Sequence, residues 1–197
     1  MKNIVFDLAG VVVARNEERC PQEIMDYFYF INSGEPLPEF WDDYDRGTRE
    51  TDSVAEALAA FRGSDIETAK RLMLSAITYQ ETIPATAKLI VDLKSADYRL
   101  FVLSNMSKDY IDFLRQMEVF KHFEGEVVSC EVGLIKPEKE IYTLLLERYN
   151  LEPEQTMFID DRKQNVEAAA EVGIVPIHFD RCNPEKSCEQ LRCILLK

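Results

Sequence analysis

The sequence predicts an α/β fold in which a doubly wound parallel sheet carries one inserted, all-helical segment. Short runs of apolar and β-branched residues alternate with segments of helical periodicity, which is the pattern of parallel strands joined by crossover helices. Residues 17–82 break that alternation, because they show helical periodicity and no convincing strand. With 197 residues, of which 46% are hydrophobic, the chain can bury a full core and carry an insertion.

Five apolar runs are predicted strands, at residues 3–6, 100–103, 125–129, 156–159 and 174–178. Their apolar residues are continuous, which fits strands buried on both faces of a parallel sheet. Helices are predicted at residues 84–95 and 107–117, in a segment whose first turn holds Pro137, and in a segment that Gly173 ends. These elements define a predicted core domain at residues 1–16 and 83–197.

The insert at residues 17–82 is predicted to be a helical domain that interrupts the core directly after its first strand. Apolar residues recur there at helical spacing, as at Val54, Leu58 and Phe61. Residues 64–67 read "SDIE", a capping-box pattern that predicts the start of a further helix at Ser64.

Charge and composition argue against several partners. The formal net charge is −13, whereas binders of nucleic acid and anionic membranes carry basic faces, so neither partner is expected. The start, "MKNIVFDLAG", does not resemble a signal peptide, and no run approaches the ~20 apolar residues of a membrane span. The five cysteines form no CxxC pair, which favours reduced thiols. We therefore expect a cytoplasmic protein.

Polar side chains lie at the ends of the predicted strands or at the ends of the loops that follow these strands. Ligands of open parallel sheets bind at the carboxyl ends of the strands, so these side chains are expected to meet in one crevice. Carboxylates suit Mg²⁺, whereas a hydroxyl, an ammonium and backbone N–H groups suit phosphate oxygens. A carboxylate beside a bound phosphate can also attack phosphorus. The residues concerned are Asp7, Ser104, Asn105, Lys136, Asp160 and Asp161.

Four segments, "FDLAGVV", "LSN", "KPE" and "IDDRKQN", resemble in order and spacing the four motifs of the haloacid dehalogenase (HAD) superfamily. The insert resembles its C1 cap, and the likeness is greatest to the subfamily of small-sugar phosphatases and the N-terminal domain of soluble epoxide hydrolases. The resemblance implies a Rossmann-like, HAD-like core with a helical cap and a Mg²⁺-dependent phosphatase. The substrate would be a small phosphorylated metabolite, such as a sugar phosphate, hydrolysed through an aspartyl-phosphate.

The resemblance also implies a metal site. Asp7 would be the nucleophile and a Mg²⁺ ligand, and the backbone carbonyl of Ala9 would be a second ligand. Asp161 would bind the metal as the acidic ligand of the last motif, and Asp160 would bind it directly or through water.

The resemblance assigns the remaining strand-end residues to the phosphate. Ser104 and Asn105 would hold the phosphoryl group, and Lys136 would neutralise charge on the nucleophile and on the phosphoryl oxygens in the transition state. Aromatic residues of the insert are interpreted as packing residues. Candidates for contacts with the leaving group are Arg15, Arg46 and Arg49.

Ala9 departs from the family pattern, because HAD phosphatases usually carry an Asp two residues after the nucleophile. That Asp protonates the leaving oxygen, and general acid–base catalysis is typically worth about 10²–10⁴-fold. One alternative is a catalytically weakened, phosphate-binding protein. Others are a phosphonoacetaldehyde hydrolase-like enzyme that would use Lys70 as a Schiff base, and a haloacid dehalogenase-like enzyme. A phosphatase would need water or another acid for the proton transfer, and the candidates are Glu17, Asp42, Asp43 and Asp45.

Overall fold

The computed structural model of the protein describes residues 1–33 and 36–196. Its strands are β1 (Asn3–Phe6), β2 (Val13–Arg15), β3 (Gln80–Thr82), β4 (Arg99–Ser104), β5 (Gly125–Val128), β6 (Thr156–Asp160) and β7 (Val175–His178). Its α-helices are α1 (Gln22–Tyr27), α2 (Glu39–Arg46), α3 (Thr51–Arg62), α4 (Ile66–Ile77), α5 (Pro84–Ser95), α6 (Lys108–Leu114), α7 (Ser129–Val132), α8 (Lys139–Tyr149), α9 (Lys163–Glu171) and α10 (Pro184–Leu195). Short 3₁₀ helices span Tyr29–Asn32, Glu118–His122 and Pro153–Gln155.

A parallel sheet in the order β5-β4-β1-β6-β7 forms the centre of the core. In its middle strand, Phe6 pairs with Val102 of β4 on one side and with Ile159 of β6 on the other. Because the strands are parallel, their carboxyl ends share one edge of the sheet. Asp7 directly follows Phe6 and Asp160 directly follows Ile159, so the register brings these two acids side by side.

Helices cover both faces of this sheet. Ile4 and Phe6 join a hydrophobic cluster with residues of α5, α6 and α10, whereas Val5 joins the opposite cluster with residues of α8 and α9. All three side chains are fully buried, and full burial of a side chain of this size stabilises by about 1.5–3 kcal/mol. The predicted α/β fold with a doubly wound parallel sheet is confirmed.

Helices α1–α4 carry a hydrophobic cluster of their own. The buried Trp41 ring lies 5.9 Å from the Phe28 ring and 5.4 Å from the Phe30 ring, measured between centroids. The prediction that residues 17–82 contain no strand is wrong at β3, which pairs antiparallel with β2. β3 has three residues, all polar, so no alternation marks it in the sequence. The domain boundaries at residues 16/17 and 82/83 stay predictions.

Helix ends differ in detail from the predictions. Asp65 caps α4 by accepting the Thr68 N–H at 2.8 Å, so the cap is not the predicted capping box at Ser64. Pro137 lies in a turn before α8, and the helix itself begins at Lys139. None of the described helices combines the length and the apolar character that a membrane crossing requires.

Candidate active site

A buried lysine links the carboxyl ends of the two central strands. The side chain of Lys136 is 1% exposed, and its Nζ lies 2.8 Å from Asp7 Oδ1 and 2.7 Å from Asp160 Oδ2. The Nζ also donates to the Leu103 carbonyl at 3.0 Å, so three acceptors match the three N–H bonds of the ammonium. Burial opposes its positive charge, but the Asp160 and Asp7 carboxylates outweigh burial and raise the pKa of Lys136. The lysine is therefore a fixed positive charge.

Asp7 has one fully engaged carboxylate oxygen. Its Oδ1 accepts hydrogen bonds from the Leu8 N–H at 2.7 Å and from the Ser104 hydroxyl at 3.1 Å, in addition to Lys136. Burial raises the pKa of Asp7 to about 7; the Lys136 charge opposes this rise, and the neighbouring carboxylates add to it. The orientation of the carboxylate is thus fixed, and the site holds more negative charge than one lysine neutralises.

The two acids at the end of β6 have different surroundings. Asp160 is fully buried, and its oxygens accept the Arg162 N–H at 2.7 Å and the Asn165 amide at 3.0 and 3.1 Å, besides the lysine ammonium. Asp161 lines a cleft, and its Oδ2 accepts a hydrogen bond from Arg181 at 3.2 Å. Asp161 is therefore the acid of the pair that faces the cleft, whereas donors surround Asp160.

Three carboxylates form a cluster that fits a metal ion. Ligand oxygens of Asp7, Asp160 and Asp161 lie within 4.8 Å of one another. Burial and then the Asp160 charge raise the pKa of Asp161, so the cluster lacks positive charge. A hard divalent cation such as Mg²⁺ prefers such oxygen donors, so the residues present fit the predicted cofactor. In the described part of the chain, the C-terminal cysteines join no comparable cluster.

The loop after β1 approaches these acids closely because it contains a glycine. Gly10 has a φ of +79°, in the left-handed region, and a Cβ there would lie 3.0 Å from Asp161 Oδ2. Its N–H donates to the Val13 carbonyl at 2.8 Å, so the chain turns directly into β2. Ala9 is exposed and lines the cleft. The role of its carbonyl as a metal ligand stays a prediction.

The two polar residues expected to hold a phosphoryl group have distinct surroundings. Ser104 is fully buried, donates to Asp7, and is absent from the described residues that line the cleft, so it positions Asp7, and its contact with a phosphoryl group stays a prediction. Asn105 does line the cleft. Its amide exchanges two hydrogen bonds, of 2.7 and 2.9 Å, with the Lys136 backbone, which fixes the turn that carries the lysine.

The cleft has a volume of about 630 Å³ and is lined by strand-end residues and by residues of the insert. Asp7, Asn105, Lys136 and Asp161 line it from the core, and Asp45 lines it from α2. Arg15, a predicted contact of the leaving group, also lines it. Among the apolar residues of its described wall are Val13, Ile31, Leu37 and Ile83.

Three other residues that the sequence made candidates are absent from the cleft lining among the described residues. Arg46 forms an ion pair with Glu138 at 2.6 Å, so it joins the insert to the core instead of facing a substrate. Lys70, the residue that a Schiff-base mechanism would need, pairs with Asp52 at 2.5 Å and does not line the cleft. Arg49 is likewise absent from the cleft lining.

Sequence reasoning missed Arg181, which pairs with Asp161. Arg181 follows β7, whose carboxyl end shares the edge of the sheet with the other strands, so the strand-end rule would have found it. His178, the last residue of that strand, lies with its Nε2 2.9 Å from the Asp161 carbonyl. Both contacts hold the loop that carries the cleft-facing acid.

A family model described as haloacid dehalogenase-like hydrolase matches residues 1–173. The chain belongs to this hydrolase family. It is 27% identical over 196 residues to a sesquiterpene phosphatase of Aspergillus oryzae, which covers 97% of this chain and 95% of that relative. It is 41% identical over 71 residues to mouse bifunctional epoxide hydrolase 2, which covers 35% of this chain and 13% of that relative.

Solved structures of this family share the fold. A structure of a HAD-like hydrolase from Porphyromonas gingivalis superposes with a TM-score of 0.78 at 25% identity, covering 100% of this chain and 98% of that one. A HAD family enzyme of Bacteroides thetaiotaomicron, solved with magnesium and inorganic phosphate, superposes with a TM-score of 0.73 at 23% identity, covering 92% and 95%. The predicted membership of the HAD superfamily and the prediction of a hydrolase are confirmed.

Proposed function

We propose that this hydrolase is a Mg²⁺-dependent phosphatase of a small phosphorylated metabolite, acting through an aspartyl-phosphate at Asp7. One observation carries the proposal. Asp7 lies at the end of the central strand, held by Lys136 at 2.8 Å and clustered with two further carboxylates. The phosphatase among the relatives supports the reaction class.

The proposed metal ligands are the Asp7 carboxylate, the Ala9 carbonyl and the Asp161 carboxylate. Donors already surround Asp160, which favours its binding through water. Bound Mg²⁺ would supply positive charge to the phosphate and to the carboxylates that Lys136 leaves uncompensated.

The other catalytic roles are assigned to side chains of the strand ends. The Asp7 carboxylate attacks phosphorus, and the three donors on its Oδ1 fix its orientation. Ser104 keeps the carboxylate in this orientation. Lys136 offsets the charge that develops on the phosphoryl oxygens, and Asn105 holds the lysine turn while it faces the phosphoryl group.

The cleft limits the class of substrate. We propose that residues 17–82 act as a cap that closes over the substrate and excludes water, which suits a small molecule. Apolar walls at Val13, Ile31, Leu37 and Ile83 suit the carbon skeleton of a leaving alcohol, and Arg15 suits a polar group on it. A sugar phosphate or a similar metabolite of that size fits about 630 Å³.

The test is phosphate release from p-nitrophenyl phosphate and from a panel of sugar and alkyl phosphates, with Mg²⁺ or with EDTA. We expect turnover that EDTA abolishes and that Asp7→Asn removes. Asp97→Asn is the matched control, because Asp97 is exposed and has a φ of 59°, which Asn tolerates equally well. Phosphate binding without turnover, or halide release that EDTA does not affect, would overturn the proposal.

A further inference from the structure

The proposed reaction lacks a general acid at position 9, which is occupied by Ala9. A phosphate monoester with a poor leaving group needs a proton on the leaving oxygen, and the methyl group of Ala9 has none to give. Ala9 is exposed and lines the cleft together with Asp7. An acid that fills this role must reach the cleft from another element.

Two acids of the insert line the described cleft, and Asp45 is the less exposed of them. It lies in the last turn of α2 and lines the cleft together with Asp7 and Ala9. Glu17 also lines the cleft, but it is exposed, so water solvates its carboxylate. The other candidate acids of α2 are absent from the described lining of the cleft; they are Asp42 and Asp43.

Three contacts dock the end of α2 onto the core and so hold Asp45 in place. The Ser129 hydroxyl donates to the Asp45 carbonyl and accepts the Met106 N–H at 2.9 Å. Arg46 pairs with Glu138 in the turn before α8. At the end of the helix, Gly47 packs against the Cys130 backbone so closely that a Cβ would lie 2.4 Å from its carbonyl oxygen. These contacts use the Asp45 backbone and neighbouring residues, and none of them involves the Asp45 carboxyl group.

The surroundings of Asp45 suit a group that both gives and takes a proton. Burial raises the pKa of Asp45 to about 7. The positive charge of Arg162 and a backbone hydrogen bond from Ser107 oppose this rise, and the carboxylates of Asp42 and Asp7 add to it. A catalytic acid–base works best when its pKa is close to the working pH. Other groups that sense the Asp45 charge are Tyr110 and Cys130.

We propose that Asp45 is the general acid–base of the reaction, delivered by α2 in place of the acid that is missing at position 9. The inference rests on the proposed function. In the first step a carboxylate oxygen of Asp7 bonds to phosphorus, the bond from phosphorus to the leaving oxygen breaks, and Asp45 transfers its proton to that oxygen. In the second step the Asp45 carboxylate takes a proton from water, whose oxygen bonds to phosphorus while the bond to Asp7 breaks. The products are the alcohol and inorganic phosphate, and Asp45 is again protonated.

The leaving group distinguishes this role from a structural one. In Asp45→Asn, we expect kcat/KM for an alkyl phosphate to fall by about 10²–10⁴-fold. p-Nitrophenolate leaves without a proton, so the variant should still release one equivalent of p-nitrophenol per active site in a burst. Hydrolysis of the phosphoenzyme then becomes slow, because the base is missing. A merely structural defect would reduce the burst and would lower kcat/KM equally for the alkyl phosphate and for p-nitrophenyl phosphate.

Control and rescue variants complete the experiment. Asp43→Asn changes a carboxylate on the same helix and should behave as the wild type. Adding Ala9→Asp to Asp45→Asn places an acid beside the nucleophile again, and should restore most of the alkyl phosphate activity.

The outcomes separate the two proposals. Wild-type rates in Asp45→Asn, or equal losses on both substrates, would overturn the role of Asp45 while the phosphatase stands. A wild type without Mg²⁺-dependent turnover would overturn the proposed function and, with it, the role of Asp45.

Discussion

Replacing Lys136 with Met tests whether the buried ammonium holds the acids at the strand ends together. Met keeps the length of the side chain but removes the charge that lies 2.8 Å from Asp7 and 2.7 Å from Asp160. Removing one partner of a buried ion pair costs about 3–5 kcal/mol. For a chain of this size, each kcal/mol lowers the melting temperature by about 2–4 °C, so we expect a loss of about 6–20 °C.

The loss from Lys136→Met should depend on pH. Burial raises the folded-state pKa of Asp7 from its ordinary 3.8 to about 7. The folded protein therefore binds a proton more tightly than the unfolded chain, and this contribution to stability is lost as the pH rises through about 7. The Lys136 charge lowers that pKa. Without it the pKa rises further, and ionised Asp7 destabilises the fold more. The deficit should therefore be larger at pH 8 than at pH 5.

Thermal unfolding in EDTA at both pH values, followed by circular dichroism, measures this loss. Lys139→Met is the matched control, because Lys139 also forms an ion pair, with Glu171 at 2.6 Å, but its side chain is 61% exposed. Surface ion pairs contribute about 0–1 kcal/mol, so this control should lose at most about 4 °C. Equal losses in the two variants would refute the structural role assigned to Lys136.

Three further predictions follow from single contacts. Mg²⁺ at 100 times its Kd should add about 2.7 kcal/mol to the free energy of unfolding and so raise the wild-type melting temperature. Asp161→Asn should abolish most of that rise, and a full rise in the variant would contradict the proposed metal site. Gly47→Ala should lower the free energy of unfolding, measured in urea, by more than the about 1–2 kcal/mol that a left-handed alanine costs, because the new Cβ would also clash with the Cys130 backbone. Gly63→Ala is the control: its φ is +67° and nothing lies within 4 Å of the new Cβ, so it should show the backbone cost alone. Asp45→Asn should melt above the wild type at pH 8 but not at pH 4, because the folded-state pKa of about 7 makes the ionised carboxylate unfavourable as pH rises; identical pH dependence would exclude that pKa.

The sequence alone determined the five strands of the parallel sheet and the order of the residues at their ends, but not the hairpin of β2 and β3. Strands buried on both faces need continuous apolar runs, and such runs are visible without any tertiary information. The predicted strand at residues 3–6 coincides with β1, and the helix at residues 84–95 coincides with α5. Parallel strands also place their carboxyl ends together, so Asp7, Lys136 and Asp160 could be expected in one crevice. Lys136 Nζ indeed lies 2.8 Å from Asp7 Oδ1 and 2.7 Å from Asp160 Oδ2.

Only the tertiary structure decided which groups face the cleft. Ser104 and Asn105 are neighbours in the sequence, but the hydroxyl of Ser104 is fully buried against Asp7, whereas Asn105 faces the cleft. Asp45 and Ala9 are far apart in the chain but line the same cleft, and Ser129 and Glu138 anchor the end of α2 that carries Asp45. Such contacts join residues of unrelated local pattern, so no periodicity reports them. The pKa of each acid likewise depends on burial and on charges from distant elements, which the order of the residues does not encode.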